Sequence, residues 1–387
     1  PPTQPIATLS PDDAATADDL KAFISAQLPV VLTPDASGQL GYGFGGINAY
    51  PIGTPDGSAM WLAHSYGMRN FEAGRNHFIA LYRRDNGQWQ RLLNLDLENP
   101  DYIDVQGVRT VAFEPNHLWL QLDSGVGAHS GCFDLYAIEW NGRALADAAS
   151  NCNSSPGAGE VRDVDGDGQL DVVLVATEYY VFCYACGVTY PQFRVLRWTG
   201  DRLAEQVLTP VSSDSPAAAE FANPAVRLAQ GGRWKDAMAT VARGDLLNST
   251  DPLIRWNAAL IRLHAEARQA QVQAQTYPLL NNLFYGDYEA VLALMRSVPI
   301  DQLFSRGGPL IKGTVAEGWE DALSEWVAIV ANAALTVDPE LAEAYFLRGW
   351  AAYLMDPNDS AVRPDLEKAA QLKPGEKLFA DALAWVK

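Results

Sequence analysis

The hydrophobic periodicity of this chain changes once, close to residue 215. Before that point, apolar residues alternate with polar ones in short runs rich in β-branched and aromatic side chains, the pattern of half-buried strands. After it, Ala and Leu recur at helical spacing, as in 253–263 and 326–335, the pattern of packed helices. The sequence therefore predicts a multidomain chain in which an antiparallel β domain precedes an α-helical domain.

Local composition and capping residues predict where the segments of the chain begin and end. A short amphipathic helix is expected over Lys21–Gln27, with Asp18 or Asp19 as its cap and Pro29 after its end. At 387 residues the chain exceeds the usual size of a single core, which agrees with more than one domain. The predicted segments are a flexible Pro/Thr-rich tether over 1–16, the β domain with that helix over 17–209, a Pro/Ser/Ala linker over 210–219 and the helical domain over 220–387.

A hairpin-like unit recurs in the β region. Each copy has an alternating strand, a pair of turn residues and a second strand, and Asn-Gly or Thr-Gly pairs are typical of two-residue hairpin turns. An apolar strand lies upstream of each copy, around Trp61, Trp119 and Val173. The three copies are Phe78–Tyr82 before Asn86-Gly87, Phe133–Tyr136 before Asn141-Gly142, and Phe193–Leu196 before Thr199-Gly200.

An aspartate-rich loop precedes the inner strand of the third unit. Hard oxygen donors at alternate positions favour Ca²⁺ over Zn²⁺ or Cu²⁺, and Gly168 stands at the sixth position, where a tight ligand loop needs a positive φ. A solvated Asp/Gly turn, in which the side chains cap backbone amides, is the simpler alternative. The candidate ligands are Asp163, Asp165, Asp167 and Asp171 through their carboxylates and Gln169 through its carbonyl.

This loop differs from an EF-hand, because Leu174 stands where a bidentate glutamate belongs and Leu170–Ala176 continues as a strand. It resembles the Asp-x-Asp-Gly-Asp-Gly-x-x-Asp loop of the FG-GAP and VCBS families, and with the hairpin units the resemblance covers about residues 30–208. The resemblance implies propeller-like repeats and a bound calcium ion, with an affinity of roughly 10⁻⁴ to 10⁻³ M. Three units are fewer than a closed propeller needs, so a partial propeller, an atypical barrel and a curved sandwich stay open.

The helical region contains a second repeated phrase, in which glycine ends one helix and an aromatic residue begins the next. The copies are Gly232-Arg-Trp234, Gly286-Asp-Tyr288 and Gly318-Trp319. Residues 338–374 resemble a tetratricopeptide repeat, with Tyr345 and Gly349 in the first helix and Ala369 in the second, although Ala352 and the turn after Asp356 depart from the pattern. The resemblance covers about 220–387, is clearest from 317 onward, and implies stacked hairpins that bind a protein partner. A plain helical bundle is the alternative.

All four cysteines, Cys132, Cys152, Cys183 and Cys186, lie in the stretch that contains the aspartate loop. An even number in a small β region indicates two disulfides and an oxidising compartment. Three pairings are open, and the two-residue spacer favours Cys132 with Cys152 and Cys183 with Cys186. A four-thiolate zinc site is disfavoured because the chain has a single Cys-x-x-Cys, and a thioredoxin-like role because no helical pattern follows that motif.

The formal net charge of −19 excludes favourable contact with a nucleic-acid backbone or an anionic bilayer. No apolar run is long enough to span a membrane, so we expect the protein not to be transmembrane. The Pro/Thr-rich start resembles the tether of exported bacterial proteins and lipoproteins. We therefore expect an extracellular or cell-surface location, with a lipid anchor on a removed N-terminal segment as one form of attachment.

No catalytic group of residues is apparent. The histidines His64, His77, His117, His129 and His264 have no metal-ligand spacing. A cysteine nucleophile at Cys132 is disfavoured by its three companions, and the glycine-rich stretch 41–46 lacks the lysine of a phosphate loop and is expected to be a β turn or interface loop. The acidic pairs Asp101 with Asp104 and Glu320 with Asp321 are expected to be solvated.

Two functions are consistent with these patterns. The favoured one is a non-enzymatic extracellular calcium-binding scaffold that binds a protein partner through its helical repeats, for example as a subunit of a surface assembly. The alternative is a secreted hydrolase or carbohydrate-binding protein that uses the tryptophan-bearing β face.

Overall fold

The computed structural model describes residues 10–27, 44–55, 57–69, 76–140, 144–154, 157–212 and 218–386. Its contacts divide the chain into two compact units, which agrees with the predicted order of a β region followed by a helical region. The β unit contains the described residues up to Asp163 together with Gly168–Ala176 and Arg194–Gln206. The helical unit contains Val164–Asp167, Thr177–Phe193 and the described residues from Val207 onward.

The first helix, α1, spans Pro11–Gln27 and begins well before the predicted Lys21. Ser10 caps it, because its Oγ accepts a hydrogen bond from the Asp13 amide at 3.2 Å and donates one to the Asp13 carboxylate at 2.7 Å. The prediction that Asp18 or Asp19 is the cap is wrong, since both lie inside the helix. Residues 11–16, assigned to the tether, are helical, and residues 1–9 lie outside the described part of the chain.

The strands of the β unit follow in chain order. They are β1 (Phe44–Gly53), β2 (Ala59–Met68), β3 (His77–Asp85), β4 (Gln88–Leu97), β5 (Tyr102–Val111), β6 (His117–Val126), β7 (Ser130–Glu139), β8 (Ala144–Asn153), β9 (Gly159–Arg162), β10 (Asp171–Val175), β11 (Phe193–Trp198) and β12 (Leu203–Gln206). Part of the glycine-rich stretch is β1 rather than a turn. At Gly46 a Cβ atom would lie 2.7 Å from the Tyr66 hydroxyl, so glycine permits this approach of β2.

Eight strands form one curled antiparallel sheet in the order β4-β3-β2-β5-β6-β7-β8, with β1 paired to β2. Strand β2 pairs with β1 along one of its edges. Along the other edge of β2, the first part of the strand pairs with β3, and Gly67 and Met68 at its end pair with β5. The other four strands form a separate sheet in the order β12-β11-β10-β9. The first two hairpin units therefore share one sheet, joined by β2 and β5, instead of forming separate four-stranded sheets as propeller blades do.

The hairpin turns agree with the predictions in part. Asn86 and Gly87 connect β3 to β4 with φ values of 49° and 81°, the conformation of a two-residue hairpin turn. In the third unit the prediction of a two-residue turn is wrong, because Trp198 pairs with Leu203 and four residues lie between them. Thr199 closes this longer turn by donating its amide to the Arg202 carbonyl at 2.9 Å. The predicted Asn141-Gly142 turn lies outside the described residues.

Both faces of the large sheet bury apolar side chains. One face carries a cluster that includes Leu62, Leu81 and Leu120. On the other face, α1 packs against the Trp61 side, and the smaller sheet packs against the Trp119 side. Trp61 is 4% and Trp119 0% exposed, so these tryptophans are core residues, as their alternating spacing indicates.

The helices of the helical unit begin with a π-helical turn at Ala218–Ala222. They are α2 (Asn223–Gln230), α3 (Trp234–Arg243), a 3₁₀ turn (Leu246–Asn248), α4 (Pro252–Ala274), α5 (Pro278–Tyr285), α6 (Tyr288–Arg296), α7 (Ile300–Leu303), α8 (Glu320–Val337), α9 (Ala342–Met355), α10 (Val362–Leu372) and α11 (Lys377–Trp385). Consecutive helices α8 to α11 pack against one another. No described helix is both long and apolar enough to cross a bilayer.

Two of the three predicted turn-and-helix phrases match the structure. Gly232 and Gly286 have φ values of 72° and 80° and follow α2 and α5, and the aromatic residues that begin the next helices, Trp234 and Tyr288, are buried. Trp319, at the third site, is 42% exposed and does not pack as predicted. The first two turns contact each other, because a Cβ at Gly286 would lie 2.7 Å from the Gly232 carbonyl oxygen.

Helices α9 and α10 form the closely packed hairpin that the repeat-like sequence predicts. A Cβ at Gly349 would lie 3.2 Å from the Asp365 and Leu366 side chains, so glycine sets the closeness of the two helices. Arg348 on α9 donates two hydrogen bonds of 2.7 Å to the Asp365 carboxylate on α10, while Ala369 is fully buried.

The boundary between the units differs from the predicted linker. Val181 and Val188, assigned to the β domain, belong to the core of the helical unit together with Phe284. Their short apolar runs look like strands, but they pack on helices. Val211, at the start of the predicted linker, is held by the Asn223 side chain. Its amide donates to Asn223 Oδ1 at 2.7 Å, and its carbonyl accepts from Asn223 Nδ2 at 3.0 Å.

Candidate metal centre

The aspartate loop connects β9 to β10 in an antiparallel hairpin. Arg162 pairs with Asp171, so residues 163–170 form the loop, and Val172 and Val173 are buried in the strand that follows. Gly166 and Gly168 have φ values of 77° and 87°, which confirms that the loop needs glycine at the predicted sixth position. The sequence thus forms a tight turn directly before a buried strand.

Three of the four predicted carboxylates come together. Oxygen atoms of Asp163, Asp165 and Asp171 lie within 4.8 Å of one another. Asp165 and Asp171 are buried, whereas Asp163 is partly exposed. Asp167 lies in the same loop but outside this group, and the Gln169 residue is exposed.

The chemistry of this group fits calcium. Ca²⁺ binds oxygen ligands at about 2.3–2.6 Å, so two ligands of one ion lie at most about 5 Å apart. The carboxylate separations are within this limit. The donors are hard oxygens in a turn with two glycines, and sulfur and imidazole ligands that would favour zinc are absent from the group.

Two of the three carboxylates also face arginines. Arg197 on β11 donates to Asp171 through Nε at 2.8 Å and through Nη2 at 3.3 Å, and the Asp171 side chain is 0% exposed. Within the helical unit, Arg255 lies 3.7 Å from Asp165. Each carboxylate oxygen has two lone pairs, so a contact with arginine does not by itself exclude an ion. Even when no ion is bound, the two guanidinium groups balance part of the negative charge of the carboxylates.

The loop also contains a contact expected of the simpler Asp/Gly turn. The Gly168 amide donates to Asp163 Oδ2 at 2.9 Å. A capping contact of this type and a metal ligand use different lone pairs of the same carboxylate. The geometry therefore has features of both interpretations, and the clustering of three carboxylates is the feature that a capped turn does not require.

Both disulfides have the pairing that the spacing favours. Cys132 and Cys152 are register partners on β7 and β8 with an S–S distance of 1.97 Å. Cys183 and Cys186 join at 2.14 Å around a 3₁₀ turn. Because no cysteine is free, neither a four-thiolate zinc site nor a Cys132 nucleophile is formed.

The candidate catalytic carboxylates make local structural contacts. Asp101 accepts from the Gly127 amide at 2.8 Å, and Asp104 from the Gln106 amide at 2.9 Å. On the helical side, Glu320 accepts from the Gly318 amide at 3.0 Å, and Asp321 from Arg306 at 2.7 Å. Asp101, Asp104 and Glu320 thus accept from backbone amides, while Asp321 joins α8 to Arg306.

The histidines are structural in the part of the chain that the structure describes. Burial lowers the pKa of His64 and of His77 to about 4, and that of His264 to about 3, so all three are neutral near pH 7. The Nδ1 atom of His117 is hydrogen-bonded to the Glu114 carboxylate, and both side chains are largely buried. None belongs to a metal-ligand group among the described residues.

The sequence analysis missed Arg197 and Arg255. Both lie far along the chain from their aspartate partners, and no spacing signal connects them to the loop. Arg197 lies on the same face of β11 as Val195, because residues two apart in a strand share a face. Which aspartate that face meets depends on strand pairing, which local sequence does not encode.

No protein-family model matches this chain, and a search of curated proteins finds no significant match. The two resemblances therefore rest on the motifs themselves.

Proposed function

We propose that this protein is an exported, non-enzymatic calcium-binding scaffold. The observation that carries the proposal is the clustering of Asp163, Asp165 and Asp171 within 4.8 Å at the start of a buried strand. Asp167 and the Gln169 carbonyl would complete the oxygen shell, as the resemblance to FG-GAP and VCBS loops implies. A bound calcium ion would supply positive charge where the carboxylates otherwise repel one another.

In this proposal the loop braces the smaller sheet. Asp163 and Asp171 flank the hairpin of β9 and β10, so an ion held by both resists separation of the two strands. Ion binding to the folded state alone stabilises it by about 2.7 kcal/mol when free calcium is a hundredfold above its dissociation constant. The smaller sheet would serve as a single propeller-like repeat in this view.

The helical unit supplies the partner surface of the scaffold. Helices α8 to α11 pack as successive hairpins, which supports a tetratricopeptide-like array. The unit also exposes large apolar side chains, including Ile329 at 55% and Met355 at 44%. Single exposed apolar side chains are common on protein surfaces, so they serve as defined positions at which contact with a component of a surface assembly can be tested.

The proposed compartment follows from the disulfides. Two disulfides persist in oxidising surroundings such as the periplasm or the cell surface. Calcium is abundant outside the cytoplasm, which suits a loop of modest affinity.

Among the described residues, the features expected of a hydrolase or carbohydrate-binding protein have structural roles. Trp61 and Trp119 are buried and cannot stack on a sugar, and the candidate carboxylates accept hydrogen bonds from backbone amides or from Arg306.

Calcium binding is tested by calorimetry of the parent protein and of Asp163→Asn, with Asp201→Asn as the matched control. Asp201 is an exposed carboxylate in the turn between β11 and β12. We expect calcium to raise the melting temperature of the parent and the control, and chelator to remove this increase. Asp163→Asn should lose most of the calcium effect and keep its stability in chelator. An unchanged parent melting temperature in chelator would refute a structural calcium site.

The partner surface is tested by cross-linking in intact cells with a photoreactive amino acid at Ile329, and at exposed Val207 as the control position. We expect a discrete cross-linked protein at Ile329 alone. Cross-links at neither position, in cells that contain the folded protein, would argue against a scaffold that binds through its helices.

A further inference from the structure

The helical unit contains a cavity of about 280 Å³ whose lining shares Asp165 with the candidate calcium ligands. Its walls come from the end of α3, the 3₁₀ turn Leu246–Asn248, one face of α4 and the tip of the aspartate loop. Val241 and Leu246 form a buried apolar wall, while Asp245 and Arg262 contribute opposite charges. A space of this volume suits a small metabolite or a dipeptide, since sites for drug-sized ligands begin at roughly 300 Å³.

Arg262 lines the cavity and has guanidinium hydrogen-bond donors that are available to a ligand. Its Nη2 donates to the Val164 carbonyl at 3.2 Å, which holds the guanidinium in place. Its Nε and Nη1 groups make no hydrogen bond to any residue within the described ranges. A planar guanidinium that is anchored at one nitrogen and open at the others is suited to a carboxylate ligand.

Asp245 has a complementary spare acceptor. The Asn248 side chain donates to Asp245 Oδ1 at 2.7 Å, whereas Oδ2 has no hydrogen bond to the described part of the protein. Asp245 has a φ of 50°, a left-handed conformation that aspartate and asparagine adopt more readily than other L-residues.

The third charged residue of the lining, Asp165, already faces Arg255 at 3.7 Å. The cavity thus offers a ligand one anchored cation, one anchored anion and an apolar wall. We infer that it binds a small zwitterion with an apolar group, namely an amino acid or a short peptide. The ligand carboxylate would bind Arg262, its ammonium group would bind Asp245, and its side chain would pack on Val241 and Leu246.

The test uses the full chain and four probes in calorimetric titrations confirmed by protein NMR. The probes are L-leucine, L-leucyl-L-leucine, leucinamide, which lacks the carboxylate, and N-acetyl-leucine, which lacks the ammonium group. We expect saturable binding of either leucine or the dipeptide, and the tighter of the two identifies the charge spacing that fits. The blocked probes should bind at least about tenfold more weakly, with amide shifts of the zwitterion confined to the cavity lining.

Matched variants separate the two charges. Asp245→Asn should weaken the zwitterion about tenfold but leave N-acetyl-leucine unchanged, because that probe has no ammonium group to lose. Arg262→Gln should weaken the zwitterion but leave leucinamide unchanged. Asp301→Asn and Arg227→Gln, which remove exposed charges elsewhere in the helical unit, are the controls and should bind like the parent. Asparagine tolerates a positive φ, so Asp245→Asn should also fold normally.

Three results would overturn the inference. They are no binding of leucine or dipeptide at about 10 mM, equal binding of blocked and unblocked probes, and unchanged affinity in both cavity variants. The two proposals can fail separately, because Asp245→Asn and Arg262→Gln leave every candidate calcium ligand unchanged. Repeating the titrations in chelator shows whether the cavity functions when the loop holds no ion.

Discussion

The pair of Asp171 and Arg197 gives the sharpest prediction for the smaller sheet. The Asp171 side chain is 0% exposed, and Arg197 donates two hydrogen bonds to it. Removal of the guanidinium breaks this buried charge pair from one side, which typically costs about 3–5 kcal/mol. We therefore expect Arg197→Gln to destabilise the β9–β10 hairpin by this amount in the presence of chelator.

Strand β11 also provides a matched control. Arg194 forms an ion pair with Glu205, and their side chains are 51% and 42% exposed. An exposed pair of this kind contributes about 0–1 kcal/mol, because both ions are well hydrated without each other. Arg194→Gln removes the same group from the same strand and should have little effect on stability.

The measurement is hydrogen exchange of the β10 amides, because a chain with two units need not unfold in one step. A loss of about 3–5 kcal/mol corresponds to exchange that is roughly 150 to 5,000 times faster. The double variant Asp171→Leu with Arg197→Met should recover most of the protection, since apolar residues can replace a buried ion pair. If Arg197→Gln exchanges within tenfold of the parent and of Arg194→Gln, the argument from a buried charge pair is refuted.

Two further predictions concern the core of the β unit. A Cβ at Gly159 would lie 2.6 Å from the fully buried Phe133 ring, so Gly159→Ala should cost about 1–3 kcal/mol in urea unfolding, whereas Gly53→Ala, with open space around it, should cost much less; equal costs would contradict the packing. Burial lowers the pKa of His64 and of His77 from 6.5 to about 4, so the unfolded state binds more protons between these values. The free energy of unfolding should have its full value above pH 6.5 and fall by about 3 kcal/mol for each histidine as the pH approaches 4. Denaturation at a series of pH values measures this decline, and His64→Gln should make it less steep. A parent whose stability does not change across this range would contradict the buried neutral histidines.

The features that sequence predicted best depend on neighbouring residues. Asn86-Gly87 forms its two-residue turn because both positions tolerate positive φ, and this requires nothing from the rest of the chain. The glycine at 168 and the following valine-rich strand are local in the same sense. The start of α1 also depends on neighbouring residues, because the Ser10 hydroxyl is the cap. The prediction was wrong because Asp18 and Asp19 are equally good capping residues and lie just before the apolar residues of the helix.

The features that sequence missed depend on partners distant in the chain. The hairpin units were expected to be alike, yet the first two merge because β2 pairs with β5 at Gly67 and Met68. Val181 and Val188 have strand-like surroundings but pack among helices, since short apolar runs do not reveal what will cover them. The cavity with Asp245 and Arg262 arises in the same way, from a turn and a helix that meet only in the fold.

The arginines also bear on how tightly the loop can hold calcium. An ion that binds Asp165 and Asp171 approaches carboxylates that already face Arg255 and Arg197, so each guanidinium repels it and reduces the gain from each ligand. A loop of this kind should bind with a dissociation constant of roughly 10⁻⁴ to 10⁻³ M, as extracellular modules do, and would be filled only where calcium is abundant. The same arginines reduce the repulsion among the aspartates when no ion is bound. The fold should therefore persist in chelator, with lower stability. A measured dissociation constant below roughly 10⁻⁶ M would show that the guanidinium groups move away on ion binding, and would move the loop into the affinity range of cytosolic sensors.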